Sequence, residues 1–209
     1  STEGAGVRGE ALPDPVHLLV LGTDDERFGR PRSDTMMLVS VDPVTDRILV
    51  VSIPRDTLVA IPGHGTEKIT HAFAYGGADL ARQAATNLLQ VEIPYQVRVN
   101  LAGFQKIVDT LGGVDVTVNK PMHYSDPVQG LTIAFEPGPV HLDGKRAMEY
   151  VRYRSDGDIA RIQRQQQFLD AMAQKLWRPA TVVRLPALTK QILDMVETDL
   201  PAATVVSLA

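Results

Sequence analysis

Residues 16–55 read VHLLVLGTDDERFGRPRSDTMMLVSVDPVTDRILVVSIPR. Three apolar runs of strand length stand in this stretch: VHLLVLGT, TMMLVSVD and RILVVSIPR. The last two are joined by DPVTD, whose Asp and Pro favour a chain reversal. Nearly every position in each run is apolar, the pattern of strands covered on both faces. Working outward, ADLARQAATNLLQ places Leu80, Ala84 and Leu88 at helical spacing, YQVRVN alternates, and LAGFQKIVDTLGG reads as a helix stopped by Gly ahead of the strand VDVTV. LTIAF follows as a strand. A short helix through GKRAMEYV, a longer one through IARIQRQQQFLDAMAQKLW ending before Pro179, and a helical pattern in LPALTKQILDMVE complete the reading. The interleaving predicts an α/β fold, a three-layer α/β/α sandwich with a central mixed β-sheet. The DPVTD hairpin makes antiparallel neighbours, and helical crossovers make parallel ones.

The chain has 209 residues, 44% hydrophobic and 22% charged. These values sit near the globular average, so a disordered chain, a coiled coil and a membrane bundle do not fit. The expected organisation is a flexible leader at 1–15, rich in Gly, Pro and charge, followed by one domain over 16–209. GAGVRG in the leader has the spacing of a dinucleotide fingerprint, but that motif needs a strand before it and a helix after it, so the match is read as accidental. No apolar run reaches the roughly 18 residues of a membrane helix. The opening at Ser1 and the ending PAATVVSLA read as a chain cut from something longer. Cysteine is absent, which removes disulfides, thiolate nucleophiles and zinc ribbons together. A net charge of -4 provides no overall field for a polyanion, so general nucleic-acid binding is not expected.

Local charge differs from the total. Of the 21 basic residues 15 are Arg, the side chain whose planar, always charged fork grips oxyanions bidentately. Between Lys145 and Gln165, six cations face only Glu149, Asp156 and Asp158. Arg152 and Arg154 are two apart, and in extended backbone they share a face. Asp158, Arg161 and Gln165 follow at i, i+3 and i+7 on one helix face, with Arg164 beside them. An ordinary ladder of surface ion pairs has the same spacing, but Lys is missing from Arg146 through Gln174, which favours a phosphate site. Pro54 stops a strand just before Arg55, presenting it at the strand's C-terminal end, where ligands of open α/β sheets bind. Asp24 follows the first apolar run and Asp34 opens the second. Neighbouring strands would bring the two carboxylates to one sheet end, joined by a loop holding Arg27, Arg30 and Arg32. Two carboxylates with phosphate oxygens make a Mg²⁺ ligand set. The five histidines show no metal spacing, and neither a P-loop nor a G-x-S-x-G elbow occurs.

LLVLGTDDERFGRPRSDTMMLVSV, LVVSIPRDTLVAIPGHGTEKITHAFAYGG, LGGVDVTV and AMEYVRYRSDGDIARIQRQQQ, in that order from Val16 to Leu176, resemble the LytR-CpsA-Psr family of bacterial cell-wall glycopolymer ligases. The resemblance implies a phosphotransferase on the extracytoplasmic face of the cell membrane, anchored by an N-terminal segment absent from this chain. It would move a phospho-glycan from a polyprenyl-pyrophosphate carrier to a peptidoglycan hydroxyl. It also implies that Asp24 and Asp34 hold Mg²⁺, and that Arg32, Arg55, Arg152, Arg154, Arg161 and Gln165 bind the pyrophosphate. Arg55, Asp158 and Arg161 are the catalytic candidates, with Asp158 or a metal-binding Asp as the proton acceptor. Two departures stand out: Ile159 and Ala160 where an aromatic residue and Gly are usual, and Thr70 where Asn is usual. An apolar pocket for the polyprenyl chain is expected, with Met36, Met37, Leu38, Val50, Phe104, Ile107, Leu169 and Met172 as lining or as plain core. Two rivals share the same residues, a lipid-pyrophosphate phosphatase or pyrophosphatase and a non-enzymatic polyprenyl-phosphate-binding module.

Overall fold

The computed structural model describes residues 15–23, 33–45, 47–128, 130–176, 191–201 and 204. The chain divides into two compact units, one of residues 1–21, 32–97 and 198–209, the other of residues 22–31 and 98–197. The strands expected from the opening stretch all form: β1 (Val16–Thr23), β2 (Ser33–Asp42) and β3 (Arg47–Ile53). With β6 (Tyr95–Asn100) and the short β11 (Glu197–Thr198) they make a five-stranded sheet in the order β11-β6-β1-β2-β3. β2 and β3 pair antiparallel from Asp42↔Arg47 at the turn to Met36↔Ile53. The architecture is the expected α/β fold with a central mixed sheet.

In the first unit, β4 (Leu58–Ile61) and β5 (Gly65–Lys68) form a hairpin that leads into α1 (Ile69–Leu89). The helix covers more than the expected 78–90 and is two pieces. Gly76 and Gly77 interrupt it, and Gly77 holds φ 65°, ψ -156°, a combination essentially reserved for glycine. Ile69, Ala72 and Phe73 from the first piece and Ala81, Ala84 and Ala85 from the second are buried with Leu19, Leu21, Met36, Leu38, Ile53 and Ile61. Three alanines on one helical face let the second piece approach the core closely, where larger side chains would hold it off.

The second unit has its own core of Val108, Val114, Val116, Ile133, Phe135, Leu142, Tyr150 and Phe168. α2 (Leu101–Thr110) is capped by the Asn100 side chain, which accepts from Gly103 N at 2.7 Å. β7 (Val114–Val118) alternates buried and exposed residues, as a half-buried strand should, and pairs antiparallel with β10 (Gly138–Leu142). β8 (Met122–Asp126) and β9 (Leu131–Phe135) form a separate hairpin. α3 (Gly144–Arg152) starts from the Asp143 cap, which accepts from Arg146 N at 2.8 Å. At Gly144 any Cβ would run into the backbone of Gln105, so glycine is what allows α3 to lie against α2. α4 (Asp158–Leu176) closes the unit.

Two readings need correction. The helical pattern through LPALTKQILDMVE does not continue to its end: residues 191–193 are helical, but Glu197 belongs to β11. Positions 185–190 lie outside the described residues. Arg152 is not in extended backbone either. It is the last residue of α3, and the chain straightens only at Tyr153 (φ -58°, ψ 131°). Of the pocket-lining candidates, Met36 and Leu38 pack into the first core, and Phe104 and Met172 against the second.

Candidate functional site

Arg55 owes its position to backbone geometry. Pro54 cannot extend the β3 ladder, and the chain turns at once, Thr57 N donating to the Pro54 carbonyl at 3.0 Å. The β2–β3 pairing ends at Met36↔Ile53, and Asp34 and Arg55 each lie two residues beyond that last pair. Both positions therefore stand at one end of the hairpin. The α1 N-terminus ties this end together. Thr70 N donates to the Arg55 carbonyl at 3.2 Å, and Thr70 Oγ1 donates to the Ser33 carbonyl at 3.0 Å, both within the first unit.

The Arg55 side chain is about one-third exposed, with Nε 3.5 Å from Asp56 Oδ2, while Lys68 Nζ takes the other carboxylate oxygen at 2.7 Å. The hydrogen bond from Lys68, with the charges of Lys68 and Arg55, holds the Asp56 carboxyl below the usual aspartate value despite some desolvation. Asp56 is thus mainly the partner of Lys68.

The second unit collects the other arginines where α3 passes into α4. Arg152 ends α3, and Arg154 lies in the connecting turn, whose carbonyl accepts from Gly157 N at 3.0 Å. α4 begins at Asp158 and carries Arg161 and Gln165 on the expected shared face. Arg161 is buried, and Gln165 Nε2 reaches back to the Val151 carbonyl at 3.5 Å. The α3–α4 junction thus carries Arg152 and Arg154 at and just beyond the end of α3, and Arg161 and Gln165 within the first two turns of α4.

Arg164 is what holds that turn in shape. Buried, it donates from Nε to the Tyr150 carbonyl at 2.9 Å, from Nη2 to the Tyr153 carbonyl at 2.5 Å, and from Nη1 and Nη2 to the two Asp156 carboxylate oxygens at 2.9 and 3.2 Å. Lys120 Nζ approaches Asp156 at 3.6 Å. Burial pushes the Asp156 carboxyl up. The hydrogen bonds and charge of Arg164, with the charge of Lys120, outweigh that and leave it below the usual value. Arg164 therefore uses its fork on main-chain carbonyls and one aspartate. Arginine density flags the segment but does not mark Arg164 as the structural one. Asp156, three residues from Tyr153 and on no periodic face, enters the sequence reading only as one of the segment's acids, with no structural role.

Asp24 and Arg32 lie outside the described residues, as do Arg27 and Arg30 of the same loop. Asp34 and Asp158 are placed as backbone positions in β2 and at the start of α4. The Thr70 departure preserves a donor: its hydroxyl is engaged and buried. Ile159, the other departure, is exposed. Among the described residues there is no cluster of three His, Asp or Glu side chains suited to a metal.

Known proteins place this arrangement in context. The LytR_cpsA_psr family model matches residues 5–209. The polyisoprenyl-teichoic acid–peptidoglycan teichoic acid transferase TagU of Oceanobacillus iheyensis is 37% identical over 196 residues, 90% of this chain and 59% of that protein. TagU of Bacillus subtilis strain 168 is 35% identical over 191 residues, 90% and 60% of the two chains. The chain thus spans somewhat over half the length of these relatives. Among solved structures, B. subtilis TagV superposes with a TM-score of 0.83 at 30% identity, covering 95% of this chain and 79% of that one. TagT bound to LIIa-WTA gives 0.75 at 32%, covering 94% and 73%. On a family match that runs almost end to end, and on relatives well above 30% identity, the chain belongs to the LytR_cpsA_psr family.

Proposed function

We propose that this chain is the catalytic part of a Mg²⁺-dependent phosphotransferase that moves a phospho-glycan from a polyprenyl-pyrophosphate carrier to a hydroxyl of peptidoglycan. The observation that carries the reading is the α3–α4 junction, where Arg152 ends α3, Arg154 follows in the turn and Arg161 and Gln165 stand on one face of early α4, on a backbone that Arg164 fixes. Relatives named as teichoic acid transferases, and a neighbour bound to LIIa-WTA, support the same chemistry.

A pyrophosphate diester carries two negative charges, and cleavage builds more on the departing phosphate. Fixed guanidinium groups stabilise that charge without reorganising. Arg152, Arg154, Arg161 and Gln165, with Arg32 and Arg55, bind the pyrophosphate in this scheme. The acceptor hydroxyl attacks the glycan-bearing phosphorus, a new P–O bond forms, and the bond to the bridging oxygen breaks. Polyprenyl phosphate leaves with that oxygen, and Asp158 or one of the early aspartates takes the hydroxyl proton. Asp24 and Asp34 supply the hard oxygen donors that suit Mg²⁺. The ion, when bound, would neutralise phosphate charge as a Lewis acid.

A polyprenyl donor and a peptidoglycan acceptor together imply work at the extracytoplasmic membrane face, with an apolar pocket for the prenyl tail. No helix among the described residues is long and apolar enough to cross a membrane. The test is turnover of a synthetic polyprenyl-pyrophosphate disaccharide with peptidoglycan fragments, with and without Mg²⁺, for the wild type and Arg55→Ala. Turnover should fall at least about a hundredfold in the variant, the scale for losing a charged transition-state donor, with a smaller loss of lipid binding. Equal rates in the two proteins would overturn the assignment of Arg55.

A further inference from the structure

We infer that Thr70 is a positioning residue for this reaction: its hydroxyl and its amide together lock the turn that carries Arg55 to the first residue of the strand that carries Asp34. The inference rests on the proposed transfer chemistry for its kinetic consequence, but the lock itself is read from geometry.

Thr70 makes two bonds to two different segments. Its amide donates to the Arg55 carbonyl at 3.2 Å, and its Oγ1 donates to the Ser33 carbonyl at 3.0 Å. The amide of Ile69 adds a bond to the Thr57 carbonyl at 2.8 Å, so the helix start grips the Arg55 turn from both sides. Helix-terminal N–H groups lack partners within their own helix and must find them outside, and here the partners are the two carbonyls of that turn. Thr70 is buried, so water cannot substitute for its hydroxyl at Ser33. A β2 start whose carbonyl is left unsatisfied would move to find a partner.

The first piece of α1 is also tied back to β5. At its far end Tyr75 OH donates to Glu67 Oε2 at 2.8 Å, His71 Nδ1 lies 2.8 Å from the same oxygen, and the His64 ring stacks on Tyr75 at 4.3 Å. The break at Gly76–Gly77 then separates this piece from the rest of the helix. Thr70 therefore belongs mechanically to the hairpin end holding Arg55 and Asp34.

Thr70→Val removes the hydroxyl at nearly constant volume, and Thr70→Ser restores it. With the synthetic polyprenyl-pyrophosphate disaccharide as donor, kcat should fall about tenfold in the Val variant, the scale of one hydrogen bond. The donor KM should stay within about twofold, and Ser should recover most of the rate. Hydrogen exchange should quicken at residues 33–36 and 55–57 in the Val variant alone. A wild-type kcat in the Val variant, a loss confined to KM, or no recovery with Ser would overturn the kinetic role. Unchanged exchange in those two segments would overturn the lock, whether or not the wild type turns over this donor. Should Val not fold, Ala against Ser makes the same comparison. Absence of wild-type transfer would count against the proposed function, and the exchange result would still decide the positioning claim.

Discussion

Arg164 shows what one buried guanidinium can do without touching a substrate. Its fork meets two main-chain carbonyls and both oxygens of Asp156, so removing either partner strands charge in a dry environment. Asp156→Asn should cost about 2–4 kcal/mol of stability at neutral pH, as measured by urea unfolding. The pH dependence follows from the carboxyl lying below its usual value of 3.8 in the folded chain. The pair's stabilisation is complete above that value and is lost as pH falls through the lower folded one. The stability gap between wild type and Asp156→Asn should therefore narrow below about pH 4, and a gap that stays constant down to pH 2 would show that Asp156 is not the titrating partner. At this scale the arginine-rich segment was legible from residue type and spacing, because only phosphate chemistry or an unusual structural demand concentrates Arg without Lys. Arg164 meets the structural demand, and phosphate binding is the role proposed for Arg152, Arg154 and Arg161. Arg152, Arg154 and Arg161 share their chemistry with Arg164, and residue type alone does not mark Arg164 as the one that holds the Tyr150 and Tyr153 carbonyls.

The elements that the sequence made plain are those with strong periodicity. β1, β2 and β3 are long apolar runs, and α4 carries a regular stripe ending at Leu176. Weaker patterns were passed over. β8 has one buried residue among polar neighbours, and β10 opens with Gly-Pro, so neither shows a clean alternation. The first piece of α1 was missed because a Gly-Gly pair reads as a loop, although Ile69, Ala72 and Phe73 already stand at i, i+3 and i+4. The pair is a backbone device. Nothing lies within 4 Å of where a Gly77 Cβ would stand, so Gly77→Ala meets no clash, only the strain of φ 65°. It should cost about 1–3 kcal/mol in urea unfolding, and a neutral result would mean that the two pieces of α1 can join as one helix without penalty.

At the scale of the molecule, family and fold class were readable because motifs spread from β1 to α4 occur in a fixed order, which no accidental match reproduces. The division into two units was not readable. Their boundaries fall between residues 21 and 22, 31 and 32, 97 and 98, and 197 and 198, and no Gly- or Pro-rich linker marks the last two. Each unit is assembled from segments distant in sequence, which composition along the chain does not register. Asp24 and Asp34 likewise acquire a meaning only with substrate phosphates to share a cation, since two carboxylates alone satisfy many other roles. Group transfer to a cell-wall hydroxyl is decided by mass spectrometry of peptidoglycan fragments incubated with the protein, Mg²⁺ and a polyprenyl-pyrophosphate disaccharide. The predicted product is a fragment carrying the disaccharide through a phosphodiester, with an equal amount of polyprenyl phosphate released. Disaccharide phosphate appearing free in solution at the same rate with and without peptidoglycan would contradict the claim.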